Sequence, residues 1–337
     1  MSMKPFEQLT KRGQARRLRP LVINALDQYD FDVSEIQLVG LFTNAIFRLR
    51  TNNGQSYIMR VCAPGWRTET DLISELMWLQ ALRKDTDIRV PDPKPTREGD
   101  LFVESSAIGV PETRRCVVMS WLPGSQLESR LNEINLNKMG ILFAKLHDHG
   151  TRFNPQNGFT ERKMDSIYAR GEPNVLFSEA SHDAFTPNTK NILRQTDQKV
   201  REAFTHLYSA PQGIQVIHND LHHGNIKIYH GQLCPLDFED TIWGYPVQDI
   251  AMALQDLMVD LAPQAYDPLQ RAFKEGYESL RSWPEDYEGQ IDTFRAGRML
   301  WVANYVARCE REFLREFINW LAPVFSRYLE TGLIRKV

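Results

Sequence analysis

The first ordered pattern along the chain is alternation. From Ile36 to Cys62 the short apolar runs IQLVGL, AIFRLR and SYIMRVC are separated by polar breaks, and the last two flank a turn containing Asn53-Gly54. Asn-Gly between alternating runs predicts a β-hairpin, because the tight turn needs residues that tolerate positive φ. In the third run a period of two puts Tyr57, Met59 and Val61 on one face and Ile58, Arg60 and Cys62 on the other. Arg60 therefore shares a face with two apolar neighbours. Residues 70–84 switch to helical spacing, with Leu72, Leu76, Leu79 and Leu82 recurring at about 3.6 residues and Thr70 or Asp71 as the expected N-cap. Glu75 falls on the apolar side of that helix. An unpaired buried carboxylate is costly, so it needs a partner, and Arg60 on the preceding strand is the candidate.

A further hairpin is expected from LFVE (101–104) and RCVVMSWL (115–122), ended by Pro123-Gly124. Beyond it the texture turns helical. Met139, Leu142, Phe143 and Leu146 follow i, i+3, i+4, i+7 spacing, with Gly150 as a stop. Residues 151–190 are polar and irregular and read as an excursion over the surface. The stretch from Ile291 to Leu329 is helical again, its many aromatics assigned to core packing. With no internal repeat or low-complexity segment, the pattern describes an α+β chain with a β-rich first part and a larger α-rich second part.

Composition narrows the function classes. Lys and Arg total 40 against 43 Asp and Glu in 337 residues, a net charge of −3 that gives no reason to expect a nucleic-acid partner. Four cysteines lie far apart without a CxxC pair and read as reduced thiols of a cytoplasmic protein. The first twenty residues are basic (Lys4, Lys11, Arg12, Arg16, Arg17, Arg19) with no apolar segment behind the charges, which fits a solvated tail rather than a secretory leader. No uncharged window nears the roughly 20 apolar residues of a spanning helix. Even the apolar stretch after Trp243 is cut by Asp249 and Asp256, so no membrane contact is expected.

Candidate chemistry concentrates in residues 215–251, QVIHNDLHHGNIKIYHGQLCPLDFEDTIWGYPVQDIA. The run QVI delivers His218, Asp220 and Asn225; NIKIY, a His230-Gly231 turn and QLCPL then lead to Asp237. Asp220 and Asn225 have the spacing of a kinase catalytic loop, in which the Asp accepts the substrate hydroxyl proton and the Asn holds magnesium. Asp237 stands where a second acid would bridge magnesium to the phosphates. Phosphoryl transfer needs positioning and charge neutralisation more than covalent help, and two carboxylates and an amide supply hard oxygen ligands for it. The rival reading is a metal-dependent hydrolase that uses His218, His222 and His223 with Asp220. The H-x-H-x-D-H pattern expected of it is absent.

The segment resembles the aminoglycoside phosphotransferase and choline kinase superfamily. Its H-x-D-x-x-x-x-N loop reads His218 to Asn225, its D-F element Asp237-Phe238-Glu239-Asp240, and its D-[IL]-A element Asp249-Ile250-Ala251. YIMRV, Glu75, VMSWLPG and MGILFAKLHDHG fit the flanking elements, so the resemblance runs from about Ile36 to the C-terminal helices. Within the superfamily the pattern is most similar to the bacterial branch that includes the stress response kinase. The resemblance implies a protein-kinase-like two-lobed fold: a nucleotide-binding lobe over 1–115, a hinge over 116–123 whose Met119 and Trp121 lie by the adenine, and a catalytic and acceptor lobe over 124–337. It further implies ATP and magnesium as cofactors. Asp220 acts as base, Asn225 and Asp237 bind the metal, Arg60 contacts phosphates and Glu75 orients it. Asp240 assists the metal, Asp249 braces the loop and His218 is structural. Two features depart from the common pattern: Arg60 replaces a lysine, and LVGLFTNAIFRL contains only Gly40, leaving phosphate contacts to backbone amides and Thr43 or Asn44. The implied acceptor is a small-molecule hydroxyl, on an amino alcohol, sugar or aminoglycoside-like compound. Asp237, Glu239, Asp240, Asp256 and Asp260 favour a cationic one. A protein Ser/Thr kinase and an inactive nucleotide-binding relative are the alternatives.

Overall fold

The computed structural model describes residues 3–209 and 212–335. It divides into two compact units, one running to Pro123 and including Pro155–Phe159, the other comprising Gly124–Asn154 and the chain from Thr160.

The first unit contains helix α1 (Lys11–Leu26), strands β1 (Val33–Leu41), β2 (Ala45–Thr51) and β3 (Ser56–Val61), helix α2 (Glu69–Asp85), and strands β4 (Val103–Ser105) and β5 (Arg114–Ser120). The strands form one antiparallel sheet in the order β1-β2-β3-β5-β4. The period of two is realised in it. Met59 and Val61 join Phe47, Leu49, Cys116 and Val118 in the core, while Arg60 pairs across to Ile46 and Val117 on the alternate set.

Two local expectations need correction. The basic tail is helix α1, whose Ala15, Leu18, Val22 and Ala25 are buried at helical spacing while Arg16 and Arg19 stay exposed; the charge density hid the stripe. The cap of α2 is Thr68 rather than Thr70 or Asp71. Its hydroxyl accepts from Asp71 N at 3.1 Å while the Asp71 carboxylate accepts from Thr68 N at 3.0 Å, a reciprocal pair that makes Asp71 the third helical residue. Strand β5 runs to Ser120, within the apolar run RCVVMSWL that predicts it.

The second unit is mostly helical. It carries β6 (Ser125–Gln126), α3 (Glu133–Arg152), α4 (Pro187–Ser209), β7 (Gln215–Ile217), β8 (Ile226–Tyr229), β9 (Gln232–Pro235), β10 (Ile242–Gly244), α5 (Pro246–Asp260), α6 (Pro263–Glu278), α7 (Gln290–Cys309) and α8 (Leu314–Thr331). Two small sheets, β6-β8-β9 and β10-β7, present the loop ends that matter for function. Helix α5 is buried nearly all round, as its apolar sequence requires. Gly150 does not stop α3, which continues to Arg152. It lies where a Cβ would come within 2.2 Å of the Val216 carbonyl oxygen, so only glycine lets β7 pack this close. The irregular stretch before α4 is anchored rather than solvated: Leu176 and Ser181 are buried, and Asn304 accepts from Val175 N and Leu176 N at 2.8 and 3.0 Å.

Candidate active site

Strand β7 ends in a buried apolar run, and the chain then turns through His218-Asn219-Asp220 with Asn219 at φ 64°. A non-glycine residue in the left-handed region persists only where its surroundings hold it, and asparagine tolerates it best. Asp249, in the first turns of α5, supplies the hold. Its carboxylate accepts from His218 N at 3.3 Å and Asn219 N at 2.6 Å. It also receives His147 Nε2 at 3.1 Å, while the His147 Nδ1 lies 3.0 Å from the Tyr277 hydroxyl. A carboxylate only accepts, so His147 carries its proton on Nε2 and Tyr277 donates to Nδ1. Burial pushes the His147 pKa below its ordinary value, against the opposing pull of Asp249, and keeps the ring neutral. The chain Tyr277–His147–Asp249 thus ties α6 and α3 to the loop that follows β7.

His218 closes the loop on its other side. Its Nε2 donates to Leu236 O at 2.9 Å, its Nδ1 accepts from Asp220 N at 3.3 Å, and its ring lies 4.4 Å from that of Phe238. Burial, the largest influence, lowers its pKa too, so the ring is a neutral strut between Asp220 and the segment carrying Asp237.

Asp220 is half-buried, and both of its oxygens are engaged. Oδ1 accepts from Arg298 Nη2 at 2.9 Å, and Oδ2 from Asn225 Nδ2 at 3.3 Å. The same Asn225 nitrogen donates to Asp220 O at 2.9 Å. Burial pushes the Asp220 pKa up to about 7; Arg298 opposes the rise, and the nearby charges of Asp240 and Asp256 add to it. With its nitrogen committed to Asp220, Asn225 keeps its amide oxygen for a ligand. Leu236 N donates to Asn225 O at 2.8 Å across the β8–β9 hairpin, which sets Asp237 one residue past the partner of Asn225. Asp237 is exposed and left-handed, at φ 60°. An amide oxygen and an exposed acid near one end of the hairpin suit magnesium, which takes few protein ligands and fills its octahedron with phosphate oxygens and water.

The imidazole cluster of the hydrolase reading does not assemble. His218 uses both nitrogens as described, His222 Nδ1 accepts from Gly224 N at 3.1 Å, and His223 Nε2 meets Asp260 at 2.9 Å. Among the described residues, no three His, Cys, Asp or Glu side chains are grouped to hold a metal.

In the first unit, Arg60 and Glu75 form a two-pronged pair. Nη1 donates to Oε1 at 2.9 Å and Nη2 to Oε2, with side chains only 5% and 2% exposed. Thr43 is exposed at the loop between β1 and β2, whereas Asn44 is buried and its Oδ1 accepts from Ala63 N at 2.9 Å, tying that loop to the end of β3. Met119 is buried opposite Ile58, and Trp121 carries the Arg48 guanidinium 4.4 Å over its ring.

Two arginines in the second unit escaped the sequence reading. Arg298 on α7 holds Asp220. Arg170, from the irregular stretch, forms an ion pair with Asp240, Nε lying 3.0 Å from Oδ1, and its Nη2 donates to the Asp240 carbonyl oxygen at 2.6 Å. For Arg298 a signal exists, the one that exposed Glu75: a charge set in an apolar helix, here RMLWVANYVA, demands a partner. Arg170 lies in a stretch without periodicity.

No helix among the described residues is long and apolar enough to cross a membrane. Amicoumacin kinase of Bacillus subtilis (strain 168) is 23% identical over 240 residues, covering 71% of this chain and 68% of that one. Among solved structures, an amicoumacin kinase in complex with AMP-PNP, Ca2+ and Ami superposes with TM-score 0.75 at 16% identity, covering 94% of this chain and 96% of the other. A microcompartment-associated aminopropanol kinase does so with TM-score 0.75 at 21% identity, covering 95% and 100%. The fold is accordingly the protein-kinase-like one. The profile of the phosphotransferase enzyme family matches residues 35–283, and the chain belongs to that family.

Proposed function

We propose that this protein transfers the γ-phosphoryl group of ATP, with magnesium, to a hydroxyl of a small amine-bearing alcohol. The observation that carries the reading is the meeting of Asp220, Asn225 and the Asp237 segment around one hairpin end, on a loop whose strained backbone Asp249 fixes.

Asp220 orients the acceptor hydroxyl and takes its proton; a carboxylate poised near neutrality suits a general base. The Asn225 amide oxygen and the Asp237 carboxylate hold the metal, which when bound neutralises charge on the β and γ phosphate oxygens. Arg60 meets the phosphates, and Glu75 fixes its guanidinium by the two-pronged pair. His218, His147 and Asp249 keep the loop in register. Trp121 and Met119 serve the adenine end.

The acceptor class rests on two supports. A relative acts on amicoumacin and a fold neighbour on aminopropanol. The acids around Asp220, namely Asp240 and Asp256, favour a cationic partner. The test is ADP release from MgATP with 1-amino-2-propanol, ethanolamine and an aminoglycoside, run beside generic protein substrates. Turnover with an amino alcohol or aminoglycoside that vanishes in Asp220→Asn is the expected result. Phosphate incorporation into protein alone would move the assignment to a protein kinase, and MgATP binding without any turnover would make the chain an inactive relative.

A further inference from the structure

We infer that Arg298 is the positioning residue for Asp220, itself held in place by the ring of Trp301 and, through that ring, by Glu172. The inference rests on the proposed role of Asp220 as the acceptor's base and adds to it a residue 78 positions away in the chain.

The connections form a ladder across three elements. Arg298 Nη2 donates to Asp220 Oδ1 at 2.9 Å. The Arg298 guanidinium lies 4.7 Å from the Trp301 ring centre, one helical turn further along α7. Trp301 Nε1 in turn donates to Glu172 Oε1 at 3.0 Å, and Glu172 Oε2 accepts from Arg170 N at 3.1 Å. Each rung restricts the next: the indole lies flat under the guanidinium, and its N–H is spent on an acid that the Arg170 backbone orients. Tyr305, stacked on Trp301 at 6.0 Å and 19°, extends the ladder by another turn.

Stability does not account for this arrangement. With side chains only 21% and 22% exposed the pair is largely desolvated, so the cost of taking two charges out of water offsets much of what their attraction returns. What the contact supplies is direction. Of the two hydrogen bonds on the carboxylate, the one from Asn225 is long at 3.3 Å and comes from a residue that must also serve the metal. Arg298 makes the shorter bond from a fixed platform. Without it Asp220 would keep the long amide contact and face Asp240 and Asp256 with no cation between them. Asp256 Oδ2, 3.9 Å from the same Nη2, is too distant to compete while Asp220 is in place.

The test combines kinetics with a readout that needs no turnover. In Arg298→Gln, kcat with 1-amino-2-propanol should fall about 10- to 100-fold, since a misdirected group can cost that much, while KM for the acceptor and affinity for MgATP stay within twofold of wild type. Arg298→Lys should recover only part of the loss, because an ammonium has neither the fork nor the flat face that stacks on Trp301. Trp301→Leu should fall between wild type and Arg298→Gln. In parallel, the melting-temperature shifts of Asp220→Asn, Arg298→Gln and the double variant should be non-additive, as partners in contact require. Additive shifts would overturn the inference. So would unchanged kcat with a raised acceptor KM, which would make Arg298 an acceptor-binding group. If the wild type turns over no acceptor, the proposed activity fails, and the thermal cycle alone decides whether Arg298 holds Asp220.

Discussion

Arg60–Glu75 and Arg298–Asp220 are both arginine–carboxylate pairs, yet they exist in different media. The first is nearly dry and makes two parallel bonds. The second is about one-fifth exposed, has a single short contact and keeps Asp256 within 3.9 Å. Removing one partner of a dry pair strands a charge where water cannot reach it, so that pair is locked by the cost of breaking it. A wetter pair loses less when parted. Burial thus fixes Arg60, whereas Arg298 is held by its platform on Trp301.

Asp220→Asn should produce the largest functional change, a loss of roughly 10² to 10⁴ in kcat with MgATP affinity intact, measured by steady-state kinetics and nucleotide titration. The wild-type kcat/KM should rise through about pH 7, where the free enzyme's Asp220 gives up its proton. A flat profile from pH 5 to 9 would sever the link between that carboxylate and the acceptor step.

Breaking the dry pair comes next. Glu75→Ala should cost about 3–5 kcal/mol in denaturant unfolding because Arg60 is left buried alone. The double variant Arg60→Met/Glu75→Leu should recover much of that stability and still fail to use ATP. Recovery of ATP turnover together with stability would reduce the pair to a structural one.

His147→Phe removes the two ring nitrogens that link Tyr277 and Asp249 and should cost about 1–3 kcal/mol, together with part of kcat, as the loop loses its brace. The pH sign follows from burial. The folded state keeps His147 neutral while the unfolded chain takes up a proton below about pH 6.5, so this group's contribution is full above that pH and fades as pH falls through it. The melting-temperature gap between wild type and variant should therefore narrow from pH 8 to pH 5. Thr68→Ala, which removes only the cap of α2, should cost about 1 kcal/mol and leave kcat unchanged.

The sequence disclosed those features whose partners lie within one periodic pattern. Arg60 was readable because a strand alternates, and Glu75 because a helix has a face. Asp220 and Asn225 were readable because a short loop fixes their spacing. For Arg298 the apolar helix signals that a partner is needed but not which one, and Arg170 carries no signal, since each meets its acid through tertiary packing with no regular offset in the chain. Helix α1 was missed because arginines crowd its apolar stripe, and Gly150 because a close approach of two backbones looks, in sequence, like a helix end.

Gly150, His147 and Asp249 together have a consequence for how the protein opens. The amide hydrogens of His218 and Asn219 are spent on a fully buried carboxylate, which is itself pinned by a buried ring from a helix packed against β7 with no side chain between them. No local fraying of the loop can release those two amides to solvent. Their exchange with deuterated water should follow the opening of the whole helical unit, at the pace of the α3 core amides, so heat should silence the enzyme in one step with the melting of that unit rather than ahead of it.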